Sequence, residues 1–362
     1  MNMVNISRRS IEIILKYQHP GGAYIACPNF AAYQYAWLRD GSFCAYAMDL
    51  YGETSSAERF HKWVFRILDK YREKLNHGIA ETSKGLRPAD KDCLHSRLDP
   101  NGLEVPGNWG HHQLDGLGTW LWVYCRQQAE QQANPLPGTR TLLMLARDYL
   151  ISLWRFPCSD CWEENEDRIH PHSLGAVYAG LKALGDWLHD PVALSAAEEI
   201  RDFILEHGVI NGHITKSIGV PEVDASLLSL AVPYQVVELD DPIFQATYDR
   251  ILKELVEAEG GVYRHRGDTY YGGGEWVLLA AWLGSVACKR GDLSLAKRQL
   301  EWVEEQATPQ GELPEQVSRH LLAPAYLAEW IDRWGLPAKP LLWSHAQYLI
   351  LKKSLEAARG RH

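Results

Sequence analysis

The chain has 362 residues, 46% hydrophobic and 23% charged, which is the profile of a globular protein with a sizeable core. A net charge of −9 excludes a nucleic-acid partner, because phosphate binding needs a basic face. No apolar run has the length of a membrane span, so no membrane partner is expected.

Apolar periodicity predicts helices almost from end to end. The first is "ISRRSIEIILKYQ", the second "GSFCAYAMDLYG" and the third "SSAERFHKWVFRILDKYREKL". "HHQLDGLGTWLWVYCRQQ" and "TRTLLMLARDYLISLW" are the fourth and fifth. "HSLGAVYAGLKALGDWL" and "PVALSAAEEIRDFILEHG" make the next pair, and Pro191 early in its second member suits a helix start. "GVINGHITKS" then reads as a small hairpin turning at Asn-Gly. "EVDASLLSLAVPYQVV" pairs with "DPIFQATYDRILKELVEAEGG", and "EWVLLAAWLGSVACKRGD", "LSLAKRQLEWVEEQA" and "PLLWSHAQYLILKKSLEAARG" complete the set. Twelve helices in consecutive pairs, with no linker to divide them, suit one all-α domain over residues 1–362, closed as an (α/α)6 barrel with a pocket in the loops at one end. The N-terminus shows no apolar core or cleavage site, so no signal peptide is expected, and seven scattered cysteines suit reduced thiols in the cytoplasm.

The chemistry-bearing residues gather in the segments that do not read as helix. There are 14 Trp and 17 Tyr against 7 Phe, so rings with a polar handle dominate, as a wet pocket stacking on a ligand requires. Tyr33, Tyr35, Trp37, Arg39 and Asp40 precede the second helix, and Trp109, His111, His112 and Asp115 mark the start of the fourth. "CSDCWEENEDR" precedes the sixth, "GGVYRHRGDTYYGGGEW" the tenth and "GELPEQVSRH" the last. Taken singly, Arg39–Asp40 reads as a surface ion pair and the glycine run as an ordinary loop. Recurrence before successive even-numbered helices points instead to loops gathered on one face of a scaffold.

Cys158 and Cys161 form a CxxC, but His170 and His172 follow without the regular second pair of a structural zinc site, so these thiols are expected to pack as small hydrophobes. No metal and no cofactor is called for, since phosphate-cradle, dinucleotide, HExxH and GxSxG patterns are all missing. Carboxylates remain. Glu163 follows Trp162, and Glu315 lies in "LPEQ" far along the chain. Facing each other across a ring, they would suit glycosidic cleavage, with one carboxyl protonating the leaving oxygen and the other activating water. Glu164, adjacent to Glu163, is expected to hold a proton there by like-charge repulsion and to bind sugar hydroxyls.

The motifs "YQYAWLRD", "NWGHHQLDG", "DCWEE", "YRHRGDTYYGGGEW", "LPEQ" and "LLWSHA", in that order, resemble glycoside hydrolase family 15, the glucoamylase-like inverting enzymes on an (α/α)6 barrel. The resemblance implies Glu163 as general acid and Glu315 as general base. It places Tyr33, Trp37, Arg39 and Asp40 on the terminal glucose, Arg264 and Glu164 on the substrate, and Trp109, Trp162, Trp276 and Trp343 in the aromatic wall. Cys161 stands where fungal members often carry leucine, and His111 where they carry arginine. Without the β-sandwich of many prokaryotic members or a starch-binding module, the chain is similar to the compact branch that includes isomaltose glucohydrolases. The resemblance implies an oligosaccharide substrate and exo-acting release of glucose from short α-glucans, with isomaltose favoured. A maltose-acting glucoamylase and a trehalose hydrolase are the alternatives within it. A phosphorolytic enzyme would need no base at Glu315, and a non-catalytic sugar-binding protein would need neither glutamate.

Overall fold

A computed structural model describes residues 5–107 and 109–360; Asn108, within "NWGHHQLDG", lies outside the described residues, as do residues 1–4 of the N-terminal segment. Thirteen helices are found among them: α1 (Ile6–Lys16), α2 (Leu38–Leu50), α3 (Thr54–Lys70), α4 (Arg72–Thr82), α5 (Asp115–Glu130), α6 (Arg140–Leu153) and α7 (Pro171–Leu188), then α8 (Pro191–His207), α9 (Pro242–Leu255), α10 (Val277–Arg290), α11 (Leu293–Glu305), α12 (Leu327–Trp334) and α13 (Leu342–Arg359). None is long and apolar enough to cross a membrane.

An inner ring runs through α2, α5, α7, a 3-10 segment at Ala225–Leu230, α10 and α13, and closes where α13 packs on α2. Outside it, α1 lies on α13, α3 on α2, α6 on α3 and α5, α8 on α7, α9 on the 3-10 segment and α11 on α10. This is the (α/α)6 barrel. Sequence sets the two layers apart: α10 is buried without a break from Val277 to Cys288, as a helix apolar all round must be, whereas α3 keeps Glu58, Arg59 and Lys62 in solvent. The backbones of α5 and α7 meet closely at Gly118 and Gly180, where an added Cβ would stand 2.6 Å from Ala176 backbone and 2.5 Å from Gly118 backbone respectively. Outer helices start on side-chain caps: Asp190 accepts from the Val192 and Ala193 amides, and Asp241 from Ile243, each just before a proline at the first helical position.

Two expectations change. The predicted helix "EVDASLLSLAVPYQVV" is only the six-residue 3-10 segment, because Pro233 lacks the amide a helix needs and Gln235 sits at φ 55°, outside helical space. The predicted third helix breaks at Tyr71 into α3 and α4. The Asn-Gly hairpin is present, with Val209–Ile210 paired to His213–Ile214 across Asn211 and Gly212, both at positive φ. Two further antiparallel pairs brace the loops at one mouth: Ala36–Trp37 with Arg97–Leu98, and Glu275–Trp276 with Gln316–Val317.

Candidate active site

The loops before α2, α5, α7, α10 and α13 converge on a cavity of about 570 Å³. Tyr33, Trp37, Arg39, Asp40, Trp109, Trp162, Glu163, Glu164, Arg264, Trp276, Glu315 and Trp343 all line it. Cys161 lines it too, whereas His111 stacks on His95 with ring centroids 3.9 Å apart and is not among its lining residues.

Asp160 shapes the loop that carries the two adjacent glutamates. One of its carboxylate oxygens accepts from the amides of Trp162 and Glu164, both at 2.9 Å, and its carbonyl accepts from the Glu163 amide at 2.9 Å. The tight turn forces Glu163 to φ 69°, a left-handed conformation that a residue with a Cβ adopts only when its surroundings impose it. The two carboxyls then go to different partners. Glu163 accepts from the Trp37 and Trp109 indoles, the latter at 2.6 Å, and from the Gln113 amide at 3.2 Å. Glu164 accepts from Arg264 at 3.0 Å and lies 3.2 Å from His265 and 3.4 Å from Lys216.

That separation corrects the electrostatic expectation for the pair. Burial, not the Glu164 charge, is what pushes Glu163 above the usual carboxylate range, and Arg39 with the three donors pulls part of the way back. Burial also opposes ionisation of Glu164, but Arg264, His265 and Lys216 prevail and hold it well below that range. Its charge is already compensated.

Glu315 enters on a different loop, just before the strand Gln316–Val317 that pairs with Glu275–Trp276. Burial pushes its carboxyl up to about 8, against the opposing pull of Arg264 and the Tyr33 hydroxyl. Tyr33 is fixed in turn by a 2.9 Å hydrogen bond between its hydroxyl and that of Tyr270.

Arg39 and Asp40 form the deep end, 5% and 8% exposed, so the pair is buried and not the surface ion pair it resembles when taken singly. Arg39 bonds Gln113 at 2.9 Å and Asp115 at 3.0 Å, lies 3.4 Å from Asp40 and stacks 4.9 Å from the Trp343 ring centre. Burial pushes Asp40 up to about 6 despite Arg39. Arg39→Met would leave Asp40 and the fully buried Asp115 without their cation, so it is expected to cost about 3–5 kcal/mol of stability. Urea denaturation would show this as a lower midpoint at unchanged slope; an unchanged midpoint would mean the guanidinium does not compensate these carboxylates.

The wall is held as firmly. The Trp162 indole donates to both oxygens of Asp224, at 3.1 and 2.9 Å, and its ring centre lies 5.3 Å from that of Trp276. Arg97 stacks 4.0 Å from the Trp109 ring centre. Arg264 grips Asp268 through two nitrogens at 2.7 and 2.5 Å. Glu164, His265 and Asp268 bring three ligating atoms within 4.8 Å, the one such group found among the described residues, but Arg264 and Lys216 already supply its positive charge. Cys158 and Cys161 are buried free thiols in the core, Cys158 pushed up to about 12 by burial.

Sequence reasoning missed the mouth of the cavity, where α12 contributes Trp330, Arg333 and Trp334. The signal was there: two tryptophans four apart share one helix face. Tyr270, Gln113 and Lys216 were also missed, since nothing local in the sequence pairs them with Tyr33, Glu163 or Glu164.

Comparison with known proteins agrees with this arrangement. The family model for glycosyl hydrolases family 15 matches residues 5–353. The chain is 40% identical over 359 residues, 97% of its length and 92% of the relative's, to an isomaltose glucohydrolase of Kribbella flavida. It is 25% identical to trehalase 2 of Sulfolobus acidocaldarius over 82% of this chain and 56% of that protein. Solved structures of a glycosidase, wild type and a variant in complex with glucose, superpose with a TM-score of 0.93 at 40% identity, covering 97% of this chain and 96% of theirs. With the fold, the motif order and these matches in agreement, the chain belongs to glycosyl hydrolases family 15 and is a glycoside hydrolase of the α-glucosidase type.

Proposed function

We propose that the protein is an inverting, exo-acting α-glucosidase that releases β-glucose from the non-reducing end of short α-glucans, with isomaltose-type α-1,6 linkages favoured. The observation that carries this reading is one cavity lined by both Glu163 and Glu315, each delivered by its own loop. The grading of exposure along the cavity supports the exo mode, because Arg39, Asp40 and Trp343 at its deep end are buried while Trp334 at the mouth is 41% exposed. A site buried at one end and open at the other suits a chain end. Arg39 and Asp40 hold the hydroxyls of the terminal glucose, with Tyr33 and Trp37 along its ring. Arg264 and Glu164 meet the second sugar, and Trp109, Trp162, Trp276 and Trp343 form the wall.

In the reaction Glu163 protonates the glycosidic oxygen while Glu315 takes a proton from water attacking the anomeric carbon on the opposite face. The chemistry needs one proton shared across the two carboxyls, and on Glu163. Three N–H donors face Glu163 and favour its ionised form, while burial pushes Glu315 up to about 8, so the structure by itself leans the other way. A glycosidic oxygen arriving at Glu163 is an acceptor, and a water arriving at Glu315 is a donor. Together they move the proton toward Glu163. Burial raises both carboxyls above the ordinary glutamate value of about 4.3.

The barrel and its loops form one catalytic domain, and all seven cysteines are free and buried, which suits a reducing compartment such as the cytoplasm. Isomaltose is favoured by the 40% identity to an isomaltose glucohydrolase over almost the whole of both chains, against 25% over part of a trehalase. Initial rates on isomaltose, maltose and trehalose under one set of conditions test it. kcat/KM is expected to be highest on isomaltose; a higher value on trehalose or maltose would overturn the linkage assignment while leaving the hydrolase in place.

A further inference from the structure

The barrel has a second mouth. Between the C-terminal halves of α2, α5, α7, α10 and α13 lies another cavity, of about 700 Å³, at the end opposite to Glu163 and Glu315. It opens where the inner ring is incomplete: the 3-10 segment ends at Leu230, and the turn through Pro233 and Gln235 lines the space a full helix would fill. Its volume falls within the roughly 300–1,000 Å³ of small-molecule sites.

We propose that this cavity is a second saccharide site, taking a neutral sugar of one or two units. Its rings are fixed in place. Trp122 meets Tyr46 and Tyr234 edge-on, at centroid distances of 5.2 and 5.9 Å. Trp187 is anchored by its indole N–H to the Ala133 carbonyl at 2.9 Å, and Tyr234 by its hydroxyl to Thr119 at 2.7 Å; Trp122 and Tyr234 are buried and Arg126 lies 4.6 Å over the Tyr46 ring, so half-buried Trp187 is the ring whose apolar surface a ligand can reach.

The polar lining cancels in charge. Arg126, Lys182 and Lys289 stand against Glu130, Asp186 and Glu238. Arg126 pairs with Glu130 at 2.7 Å and Lys182 with Asp186 at 3.0 Å. Two of the three cations are thus already paired and the charged lining carries no net charge, which disfavours a phosphate, whereas vicinal hydroxyls can donate to the carboxylates and accept from the ammonium and guanidinium groups. At the wall, Gln347 is 1% exposed and its Nε2 has no hydrogen-bond partner. A sugar oxygen would satisfy that donor. None of these residues lines the first cavity.

The test is 19F NMR of the full chain labelled with 5-fluorotryptophan and titrated with glucose, and separately with inorganic phosphate. The Trp122 and Trp187 resonances are expected to shift saturably with glucose, with a Kd on the order of 1 mM, and not with phosphate. Gln347→Leu and Tyr46→Ala should each weaken that response about tenfold or more, a change of about 1.4 kcal/mol. The resonances of Trp162 and Trp343 in the first cavity should respond as in the wild type. Two variants are used so that one failing to fold leaves the other to decide. The proposal is overturned by no saturable shift at Trp122 and Trp187, by a response unchanged in the folded variants, or by phosphate in place of glucose. Because the two cavities report through different tryptophans, failure of the first as a glucose site would be seen separately.

Discussion

Glu163→Gln is expected to lower kcat by about 10²–10⁴-fold on isomaltose, the contribution of a positioned general acid. The substituted amide keeps the size of the side chain but cannot protonate a leaving oxygen. It also turns an N–H toward the indoles of Trp37 or Trp109, which in the native protein both donate to the carboxyl, so one donor is left facing another. Some stability is lost with the rate, and a melting curve should accompany the kinetics. Glu164→Gln is the contrasting case. Its charge is paired with Arg264 and Lys216, and with the proposed role of meeting the second sugar the expected loss is in KM, with kcat changed much less. If the neighbour proved to carry kcat and Glu163 only KM, the acid would have been assigned to the wrong carboxyl of this turn.

Glu315→Ala is expected to abolish hydrolysis to background while substrate still binds, because it removes the group that takes the proton from water. In the wild type both limbs of the kcat/KM profile should lie above the ordinary glutamate value of about 4.3, since burial is the largest cause of the shift at both carboxyls. The sign follows from the carboxyls' own equilibria. Raised pKa values keep the singly protonated pair populated at higher pH, so activity is lost on the acidic side sooner than it would be with two unperturbed glutamates. A limb at or below that ordinary value, or a Glu315→Ala variant retaining a substantial fraction of kcat, would show that another group activates the water.

Much of the site was legible because its chemistry sits in segments that break helical periodicity. Trp37 just before α2 with Arg39 and Asp40 in its first turn, Glu163 before α7 and Glu315 before α13 stand out because nothing about packing a helix requires them there. The paired helices implied the ring, and Asn211-Gly212 implied its hairpin. What sequence could not supply was the conformation and the company of each residue. Glu163 and Glu164 look like repelling neighbours until Asp160 bends the chain and sends them to different partners. Lys216 lies 52 residues from Glu164 and Arg264 lies 100, and no local pattern foretells either contact. The overcalled helix through 222–237 was a different kind of error, because Pro233 was in plain view and apolar periodicity was given more weight than a missing amide. The mouth helix α12 was overlooked in a short segment after "LPEQ", although Trp330 and Trp334 at helical spacing marked it.

The central claim is that two carboxyls on opposite sides of one cavity hydrolyse an α-glucoside with inversion. The most direct measurement is proton NMR of isomaltose hydrolysis by the wild-type protein in phosphate-free buffer, followed from the first turnovers so that mutarotation has not blurred the product. The account expects the β-anomeric resonance of glucose to appear first and the α-anomer to grow only as mutarotation proceeds. α-Glucose as the first-formed anomer, or turnover that begins only when phosphate is added and yields glucose 1-phosphate, would contradict it.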